Sequence, residues 1–477
     1  MESYSLQKLG VHKTGLPRFY KQGKRLGLAG FQPRTRYDAH VLRDRGLIML
    51  KLSAQGSRVV SHKLSDNDED VPVIDITSRD VLSVFAGMDQ IRVIVRAGVI
   101  YLMALATEVR RQDRVERLLA KIATQRPLDV GSLSHGAGIL SEALKDGMRE
   151  VGVEGVLCIA NDIEPDYLAH AQTIDGQWND LTIELAAPLQ EVAFDEWMTS
   201  RLPKLDVLSA GLPCTAASLA GRAKKSLSLP EQDPNVGHLV VAFLQIILRT
   251  NPSVVVLENV PQWETTASMC ILRNSLVDWG YEVHTRVLSG GEFGALEDRK
   301  RLCVVAVSRG IEFDFEKIEV PTFEKQCVGD ILEPVPDDDP SWSPLTYLRE
   351  KEVRDIAAGK GFKMQTLGPE DTSVGTIGRG YNRRRSTEPF LRHPTQEGLL
   401  RLFTPVEHAR AKGVDPRIVK GLGPTRAHEV LGQGICYAPF VAVGKLIGIA
   451  LSGFRDRKDM PAASSTEQTA QLSLAAT

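Results

Sequence analysis

Apolar and polar positions follow two different periods along this chain, and the change of period divides it into regions. In the N-terminal part, short segments alternate with the period of β-strands: RGLIMLKL, SRVVSHKL, VPVIDI and IRVIVRAGVIYL. A charged segment with helical spacing, ALATEVRRQDRVERLLAKIA, follows them. We therefore predict a β-rich accessory module over residues 1–125 that ends in a linking helix, and we recognise no internal repeat in it.

From Leu128 onward, apolar strands alternate with amphipathic helices, which is the pattern of a mostly parallel sheet covered on both faces. The predicted strands are PLDV, GVLCIAN, LDVLSAG, SVVVLEN, YEVHTRVL and RLCVVAVS. The predicted helices are ILSEALKDGMRE, closed by Gly147 near its C-terminus, and GHLVVAFLQIILR. This α/β domain is predicted to span residues 126–309.

The rest of the chain has weaker periodicity. Residues 310–400 are rich in Pro, Gly and Arg, which predicts either a loop-built recognition domain or partial disorder. A helical segment punctuated by glycines, residues 401–455, is predicted to return to the α/β domain. The small, polar residues 456–477 predict a disordered tail.

Charge and cysteine content narrow the possible partners. The 477 residues carry a formal net charge of -2, so any contact with nucleic acid has to come from local basic clusters. The six cysteines form no Cys-x-x-Cys pair and have no histidines at zinc-site spacing, so we expect neither a disulfide framework nor a metal site. Without an apolar leader or a run of eighteen apolar residues, we expect a cytoplasmic monomer that does not contact membranes.

A glycine-rich turn and an acidic residue suggest a cofactor site. The turn D129-V-G-S-L-S-H-G-A-G138 follows a strand and opens a helix, where backbone amides can approach a ligand closely. Asp162 ends the next strand, where doubly wound folds place an acid against ribose hydroxyls. A tightly packed turn and a helix N-cap are the alternative readings, but together the two features favour a nucleoside-bearing cofactor.

Two further strands end in reactive residue types. Cys214 follows Pro213 in a loop at the carboxyl edge of the sheet, although a buried, inert cysteine is the more common situation. Glu258 ends the neighbouring strand after an apolar run, and a structural pairing with an arginine is its alternative reading. Arg299 and Arg301 precede another strand, and strand alternation would point both to one side.

In order and spacing, GLPC, LENV, the Arg-x-Arg before a strand and a late glycine-containing helix resemble the DNA (cytosine-5)-methyltransferases over residues 126–452. The Pro-Cys pair and the Glu-Asn-Val triplet are the specific part. The resemblance implies a Rossmann-like S-adenosylmethionine-dependent sheet with an inserted irregular target-recognition domain, here preceded by the β-rich module. It also implies methyl transfer from S-adenosylmethionine to carbon 5 of a cytosine flipped out of double-stranded DNA.

The resemblance assigns roles to individual residues. Cys214 would attack cytosine C6, Glu258 would protonate or hydrogen-bond N3 and the exocyclic amine, and Arg299 and Arg301 would hold the base oxygen and the acid. The implied S-adenosylmethionine contacts are Asp129, Gly131, Gly136, Gly138, Asp162, Ile163, Gly211, Pro213, Leu239 and Gln433. The implied DNA contacts are Ser218, Arg222 and Lys224 in a mobile loop, and Arg383, Arg384 and Arg385 in the recognition region.

The chain departs from the family pattern in several places. The glycine turn is longer than usual, with Gly131 near the place of a Phe, and Pro188 stands where an acid near the adenine is expected. Thr215 and Glu297 replace residues that are usually Gln. The segment R401-L-F-T-P-V-E-H-A-R-A-K-G413 resembles a family motif that is usually structural. The catalytic residue types are intact.

Two other functions stay open at this point. An RNA cytosine-5 methyltransferase would share the fold, although the long recognition region favours DNA. A catalytically silent protein that reads DNA through its N-terminal module is the other alternative, and the retained Cys214, Glu258 and arginines argue against it. Residues 17–31 weakly resemble a swapped-hairpin transcription-factor module, with a plain packing domain as the alternative. The sequence leaves open whether a separate restriction endonuclease accompanies the protein.

Overall fold

A computed structural model describes residues 2–64, 70–174, 176, 178–213, 227–359 and 363–457, and the structural statements below concern these residues. The chain divides into two units, one extending to Asp113 and the other beginning at Arg114. Each unit is described by itself.

The N-terminal unit consists mainly of β-strands. Its strands are β1 (Glu2–Lys8), β2 (Gly10–Val11), β3 (Pro17–Gln22), β4 (Arg36–Leu42), β5 (Leu47–Leu52), β6 (Arg58–Val59), β7 (Ser61–Leu64), β8 (Asp70–Thr77), β9 (Gln90–Arg96) and β10 (Val99–Ala104). Two short helices, α1 (Lys24–Leu28) and α2 (Arg79–Leu82), follow β3 and β8. The strands form one sheet in the order β1-β9-β10-β5-β4-β6 and another in the order β2-β3-β8-β7.

This unit contains an internal duplication that was not recognised in the sequence. A strand, a short helix and two further strands occur twice, as β3-α1-β4-β5 and as β8-α2-β9-β10. The first strands of the two copies pair with each other antiparallel, and so do the last strands. Because β9 and β4 flank the central β10-β5 pair at equivalent positions, the two copies are related by an approximate two-fold axis.

A helix joins the two units in sequence. This helix, α3, spans Ala106–Ala123, close to the predicted linking helix, and the two units divide within it. Its second half belongs to the C-terminal unit, where the buried Arg114 donates to Asn251 Oδ1 at 3.1 Å and stacks on the ring of Tyr281. Nearer the end of α3, Lys121 forms an ion pair with Asp206 at 2.8 Å.

The second unit is built on the predicted α/β sheet. Its strands are β11 (Leu128–Leu133), β12 (Gly155–Asp162), β13 (Ile183–Ala186), β14 (Val207–Gly211), β15 (Val254–Asn259), β16 (Tyr281–Ser289) and β17 (Lys300–Ser308). They follow the order β13-β12-β11-β14-β15-β17-β16, with β17 antiparallel to both neighbours and the other paired strands parallel. All six predicted strands are confirmed, whereas β13 was missed because it is short and largely exposed.

Helices cover both faces of this sheet. They are α4 (Ile139–Arg149), α5 (Pro165–Gln172), α6 (Leu189–Phe194), α7 (Glu196–Arg201), α8 (Leu239–Thr250) and α9 (Ala267–Asp278). Along β15, Val254 and Val256 belong to one apolar core, while Val255 and Leu257 belong to the other. This alternation is what a strand buried on both faces requires, so the predicted two-sided covering is confirmed.

Residues 310–400 contain more regular structure than their sequence indicated. They hold helix α10 (Thr346–Ala357) and the strands β18 (Gln365–Leu367), β19 (Pro389–Arg392) and β20 (Leu400–Arg401). These strands form a small sheet in that order, and separate apolar clusters, one including Tyr381 and Phe403, pack beside it. The region is therefore largely ordered over the described residues.

Three helices complete the second unit: α11 (Pro405–Ala411), α12 (Pro424–Gln433) and α13 (Tyr437–Arg457). The expectation that Gly147 closes α4 is wrong. Gly147 lies inside that helix, and a Cβ there would come within 1.9 Å of the Val441 carbonyl oxygen of α13. The stretch Tyr437–Phe454 is long and apolar enough to cross a membrane, but half of it is buried, and α13 packs closely on α4. The first two residues of the predicted tail, 456 and 457, still belong to α13, and residues 458–477 lie outside the described residues.

Candidate active site

The glycine turn after β11 lies at the carboxyl edge of the sheet. Three of its residues, Ser134, Gly136 and Gly138, have left-handed backbone conformations, with φ angles of 50°, 58° and 81°. A Cβ on Gly136 would meet nothing within 4 Å, so the space beside its backbone is open. The turn therefore exposes backbone at the place where α4 begins.

Asp162, at the end of β12, holds this turn in place. Its carboxylate accepts from the backbone N–H of Gly136 at 2.8 Å and from that of Glu164 at 3.0 Å. Burial raises the pKa of the Asp162 carboxyl above its ordinary value, although the backbone donors oppose the shift. The next residue, Ile163, is 64% exposed, so an apolar side chain lies open beside the acid.

Two of the predicted cofactor residues do not belong to this edge. Asp129 is near the amino end of β11, roughly 13 Å of strand away from its carboxyl end, and its carboxylate pairs with Lys121 at 2.6 Å. Gly131 is within the strand, and a Cβ there would lie 2.5 Å from the Leu205 side chain. Packing and an ion pair account for these residues, so the structure does not support their predicted contact with the cofactor.

The strands β14 and β15 end side by side, as predicted. A Cβ on Gly211 would lie 3.5 Å from Glu258 Oε2 and 4.0 Å from the carbonyl oxygen of Ser134. Asn259 fixes the chain that leaves β14, because its Nδ2 donates to the Leu212 carbonyl oxygen at 3.2 Å. Pro213 follows and is exposed. The predicted nucleophile, Cys214, lies outside the described residues.

Glu258 and Arg301 form an ion pair at the same edge. The Arg301 Nε lies 2.8 Å from Glu258 Oε1, and the two side chains are 14% and 12% exposed. The partnership follows from the sheet, because β17 runs antiparallel beside β15 with Cys303 opposite Glu258. We call Glu258 and Arg301 the sheet-edge pair. In this pair, Arg301 fixes the orientation of the Glu258 carboxylate beside Gly211.

Arg299 has different partners and is almost completely buried. Its Nη2 donates to the Gly432 carbonyl oxygen at 3.0 Å, and its Nη1 lies 3.6 Å from Glu297 Oε1. The family resemblance implied that the two arginines hold the base oxygen and the acid. Of the two arginines, Arg301 pairs with Glu258, whereas Arg299 pairs with Glu297.

The charge of Glu297 is balanced by a lysine that is distant in sequence and was not predicted. Lys412 Nζ lies 2.8 Å from Glu297 Oε2, and both side chains are fully buried. Burial lowers the pKa of Lys412, and the nearby Glu297 carboxylate opposes this shift. The other carboxylate oxygen accepts from the Ile377 N–H at 3.1 Å. We call Glu297, Arg299 and Lys412 the buried triad. Through Lys412 and the Ile377 N–H, Glu297 joins the C-terminal segment (residues 401–455) and the recognition region (residues 310–400) to the segment that carries Arg299.

Gln433 reaches the cofactor side of the sheet through a tyrosine that was not predicted. Its Nε2 donates to the Tyr167 hydroxyl at 3.0 Å, and Tyr167 belongs to α5, directly after Asp162. Arg426 lies over the same ring, with its guanidinium carbon 5.1 Å from the ring centroid. Tyr167 was missed because nothing in its local sequence distinguishes it from a core aromatic. Leu239, in contrast, is buried in an apolar core.

The segment from Arg401 to Gly413 has the structural role suggested for its motif. Arg401 binds Glu407 through two nitrogens, at 2.6 and 2.8 Å, and both side chains are buried. Thr404 and Glu407 also form a reciprocal capping box at the start of α11. Gly413 ends the segment with a φ of 68°.

The predicted DNA contacts fall into two groups. Ser218, Arg222 and Lys224 lie outside the described residues. Arg383, Arg384 and Arg385 surround the end of a short 3-10 turn; the first and last are exposed, and Arg384 has a φ of 51°. None of these three arginines has a carboxylate within 4.0 Å among the described residues, so their charges remain available to a ligand.

Several known proteins resemble this chain. The family model described as C-5 cytosine-specific DNA methylase matches residues 130–435. The Type II methyltransferase M.NlaX of Neisseria lactamica is 30% identical over 263 residues, covering 54% of this chain and 80% of that protein. The Type II methyltransferase M1.ScrFI of Lactococcus lactis subsp. cremoris is 27% identical over 251 residues, covering 51% and 62%. The crystal structure of S. pombe Dnmt2 methyltransferase shares the fold, with a TM-score of 0.52 and 19% identity, covering 68% of this chain and 99% of that one.

Proposed function

Because the chain belongs to the C-5 cytosine-specific DNA methylase family, we propose that it methylates carbon 5 of a flipped cytosine through a covalent adduct of Cys214. The sheet-edge pair carries this proposal. Glu258 lies beside Gly211, three residues before Cys214, so the acid and the nucleophile come from the ends of adjacent strands. The Arg301 guanidinium fixes the orientation of the acid.

The chemistry requires both groups, because cytosine C5 is a weak nucleophile. Addition of the Cys214 thiolate to C6 forms the S–C6 bond and moves the C5–C6 electron pair toward C5, while Glu258 donates a hydrogen bond or proton at N3. C5 then takes the methyl group, with S-adenosylhomocysteine as the leaving group, and loses its proton to a base. The C5–H electron pair restores the C5–C6 double bond as the S–C6 bond breaks to release the thiolate, and any proton accepted at N3 returns to Glu258. Glu258 acts by stabilising the charge that develops on the ring.

The carboxyl edge offers suitable groups for S-adenosylmethionine, which supplies an electrophilic methyl group when bound. The open backbone at Gly136 can approach the cofactor closely, and Asp162 offers carboxylate oxygens to ribose hydroxyls. The exposed Ile163 side chain offers an apolar surface to the adenine. These residues bind and orient the cofactor in this proposal, and Gln433 supports them through Tyr167.

The function is tested by bisulfite sequencing of DNA from cells that express the protein. We expect unconverted cytosines at one recurrent short sequence, and none in cells that express the Cys214→Ser variant. Methylation of RNA alone, measured by the same chemistry on RNA from those cells, would contradict the choice of DNA as substrate.

We further propose that residues 310–400 select the target sequence, with Arg383, Arg384 and Arg385 contacting DNA. Losing a bidentate base contact costs about 1–3 kcal/mol at one position, whereas losing a phosphate contact weakens binding to all sequences alike. Single alanine variants of these arginines are expected to relax the methylated sequence or to reduce activity uniformly. If all three variants kept both the sequence preference and the salt dependence of binding, recognition would have to lie elsewhere.

A further inference from the structure

The two units of this chain have opposite charge. Up to Asp113 the chain carries 18 lysines and arginines against 12 aspartates and glutamates, a net charge of +6. The remaining residues carry 40 basic and 48 acidic side chains, a net charge of -8. A unit with net negative charge repels DNA at long range, so attraction to DNA has to come from local cations or from the N-terminal unit.

The two copies in the N-terminal unit share a fold but differ in net charge. Residues 17–52, which form the first copy, contain nine basic and two acidic side chains, a net charge of +7. Residues 70–104, which form the second copy, contain three basic and four acidic side chains, a net charge of -1. Because both copies build the same strand-helix-strand-strand unit, this fold does not require the positive charge of the first copy.

Equivalent positions in the paired strands do not carry this difference. The registers of β4 with β5 and of β9 with β10 make Arg36 equivalent to Gln90 and Lys51 equivalent to Met103, but they also make Asp38 equivalent to Arg92 and Leu42 equivalent to Arg96. Inward positions keep their apolar character instead, since Ile48 and Leu50 correspond to the equally buried Ile100 and Leu102. The copies therefore share their core, and the excess positive charge of the first copy lies outside β4 and β5.

Three arginines of the basic copy and its adjoining edge strand lie together. The N–H of Arg34 donates to the Val60 carbonyl oxygen at 2.9 Å, while Arg36 is opposite Val59 and Arg58 is opposite Tyr37. Because paired strands are about 5 Å apart, Arg34, Arg36 and Arg58 share one short edge of the sheet, where Arg58 is on the face of Tyr37 and Arg36 is on the opposite face. We call these three residues the arginine cluster. The Arg36 guanidinium also donates to the Gly56 carbonyl oxygen at 3.0 Å. None of the three has a carboxylate within 4.0 Å among residues 2–64 and 70–113.

We propose that the N-terminal unit binds the phosphate backbone of double-stranded DNA through its basic copy, with the arginine cluster as a main contact. Guanidinium groups match phosphate oxygens through paired hydrogen bonds, and a strand edge can approach a duplex as β-ribbon proteins do. The family match begins at residue 130, so this binding would be separate from the methyltransferase domain. The choice of DNA rests on the proposed function.

The full chain is tested with a fluorescent duplex of A·T pairs only, which contains no cytosine to methylate. Binding is followed by anisotropy across a range of salt concentrations. The variant Arg34→Gln/Arg36→Gln/Arg58→Gln is compared with Lys8→Gln/Lys63→Gln/Arg79→Gln, which removes the same charge from exposed cations elsewhere in the unit. The first variant should reduce the slope of log affinity against log salt by about 2.7, or 0.9 per phosphate contact, and the control much less.

Equal losses in the two variants, or no loss in either, would overturn the proposal. So would tighter binding to a duplex RNA of matched sequence. The variant Arg34→Lys/Arg36→Lys/Arg58→Lys keeps the charges and should restore the slope, which separates loss of contacts from misfolding.

Methyl transfer to a saturating cytosine-containing duplex should be unchanged in the glutamine variant. If the wild type bound DNA with the predicted slope but transferred no methyl group, the proposed function would fail and this inference would stand.

Discussion

The sheet-edge pair and the buried triad place two arginines, two residues apart in sequence, in very different surroundings. Arg301 meets Glu258 where the sheet opens to solvent, and each side chain stays partly exposed. Arg299 lies among Glu297, Lys412 and the Gly432 carbonyl with almost no exposure. The comparison teaches that the first arrangement leaves a carboxylate accessible to a substrate, whereas the second joins segments of the chain.

The largest expected effect concerns the sheet-edge pair. Glu258→Gln keeps the size of the side chain but removes the acid, so the methylation rate should fall about 10²–10⁴-fold, the usual range for general acid–base groups. Because Glu258 is partly exposed, the unfolding midpoint should change little. Methyl incorporation from labelled S-adenosylmethionine measures the rate, and urea unfolding measures the stability. An active variant would assign the catalytic role to another residue.

The next effect concerns the buried triad and should appear as stability. Glu297→Gln leaves Arg299 and Lys412 buried without their shared carboxylate, and breaking a buried pair in this way typically costs about 3–5 kcal/mol. The double variant Glu297→Gln/Lys412→Met removes one of these two uncompensated cations and should regain part of that loss in urea unfolding. If the double variant were as unstable as the single one, the two side chains would not act as a pair.

The smallest expected effect is the pH dependence of stability that arises from His135, a residue of the glycine turn. Burial lowers the pKa of His135 to about 3, so this ring is neutral in the folded protein. The unfolded chain binds a proton there below a pH of about 6.5, so folding stability is complete above that pH and decreases as the pH falls toward 3. His135 should contribute a slope of up to about 1.4 kcal/mol per pH unit.

The matched variant for this titration is His135→Leu, compared with the wild type by urea unfolding from about pH 7 down to about pH 5. The variant should lose stability less steeply. It should keep some slope, because burial also lowers the pKa values of His408 and His428. Identical slopes in the two proteins would show that His135 takes up a proton without unfolding.

The sequence predicted the sheet well because its strands are continuous apolar runs between turn residues. It did not predict β13, whose only buried residue is Leu185, because a short exposed strand has no distinctive pattern. The duplication was also missed, since Tyr37, Ala39 and Val41 in one copy correspond to Ile91, Val93 and Val95 in the other. All six residues belong to or pack on the same apolar core, but the residue types differ and Ala39 and Val41 are only half-buried.

Within the site, the family resemblance implied that Arg299 and Arg301 hold the base oxygen and the acid, and Arg301 is the one of the two that pairs with Glu258. The spacing of the motifs could not show that Lys412 balances the charge of Glu297, which stands where the family usually has Gln. That pair depends on how α11, which ends just before Lys412, packs against a segment that is distant in sequence. No local sequence pattern predicts such a contact. The same holds for Gln433 and Tyr167, which meet only when α12 lies beside α5.

The central claim, that Cys214 forms a covalent bond to cytosine C6 beside the sheet-edge pair, is tested most directly by trapping. A duplex carrying 5-fluorocytosine in the methylated sequence is incubated with the protein and S-adenosylmethionine, because fluorine at C5 cannot leave as a proton. We predict a protein–DNA adduct that survives denaturing electrophoresis, with mass spectrometry locating the bond at Cys214, and no adduct with Cys214→Ser. An enzyme that methylates ordinary DNA but forms no adduct, or an adduct at another residue, would contradict the account.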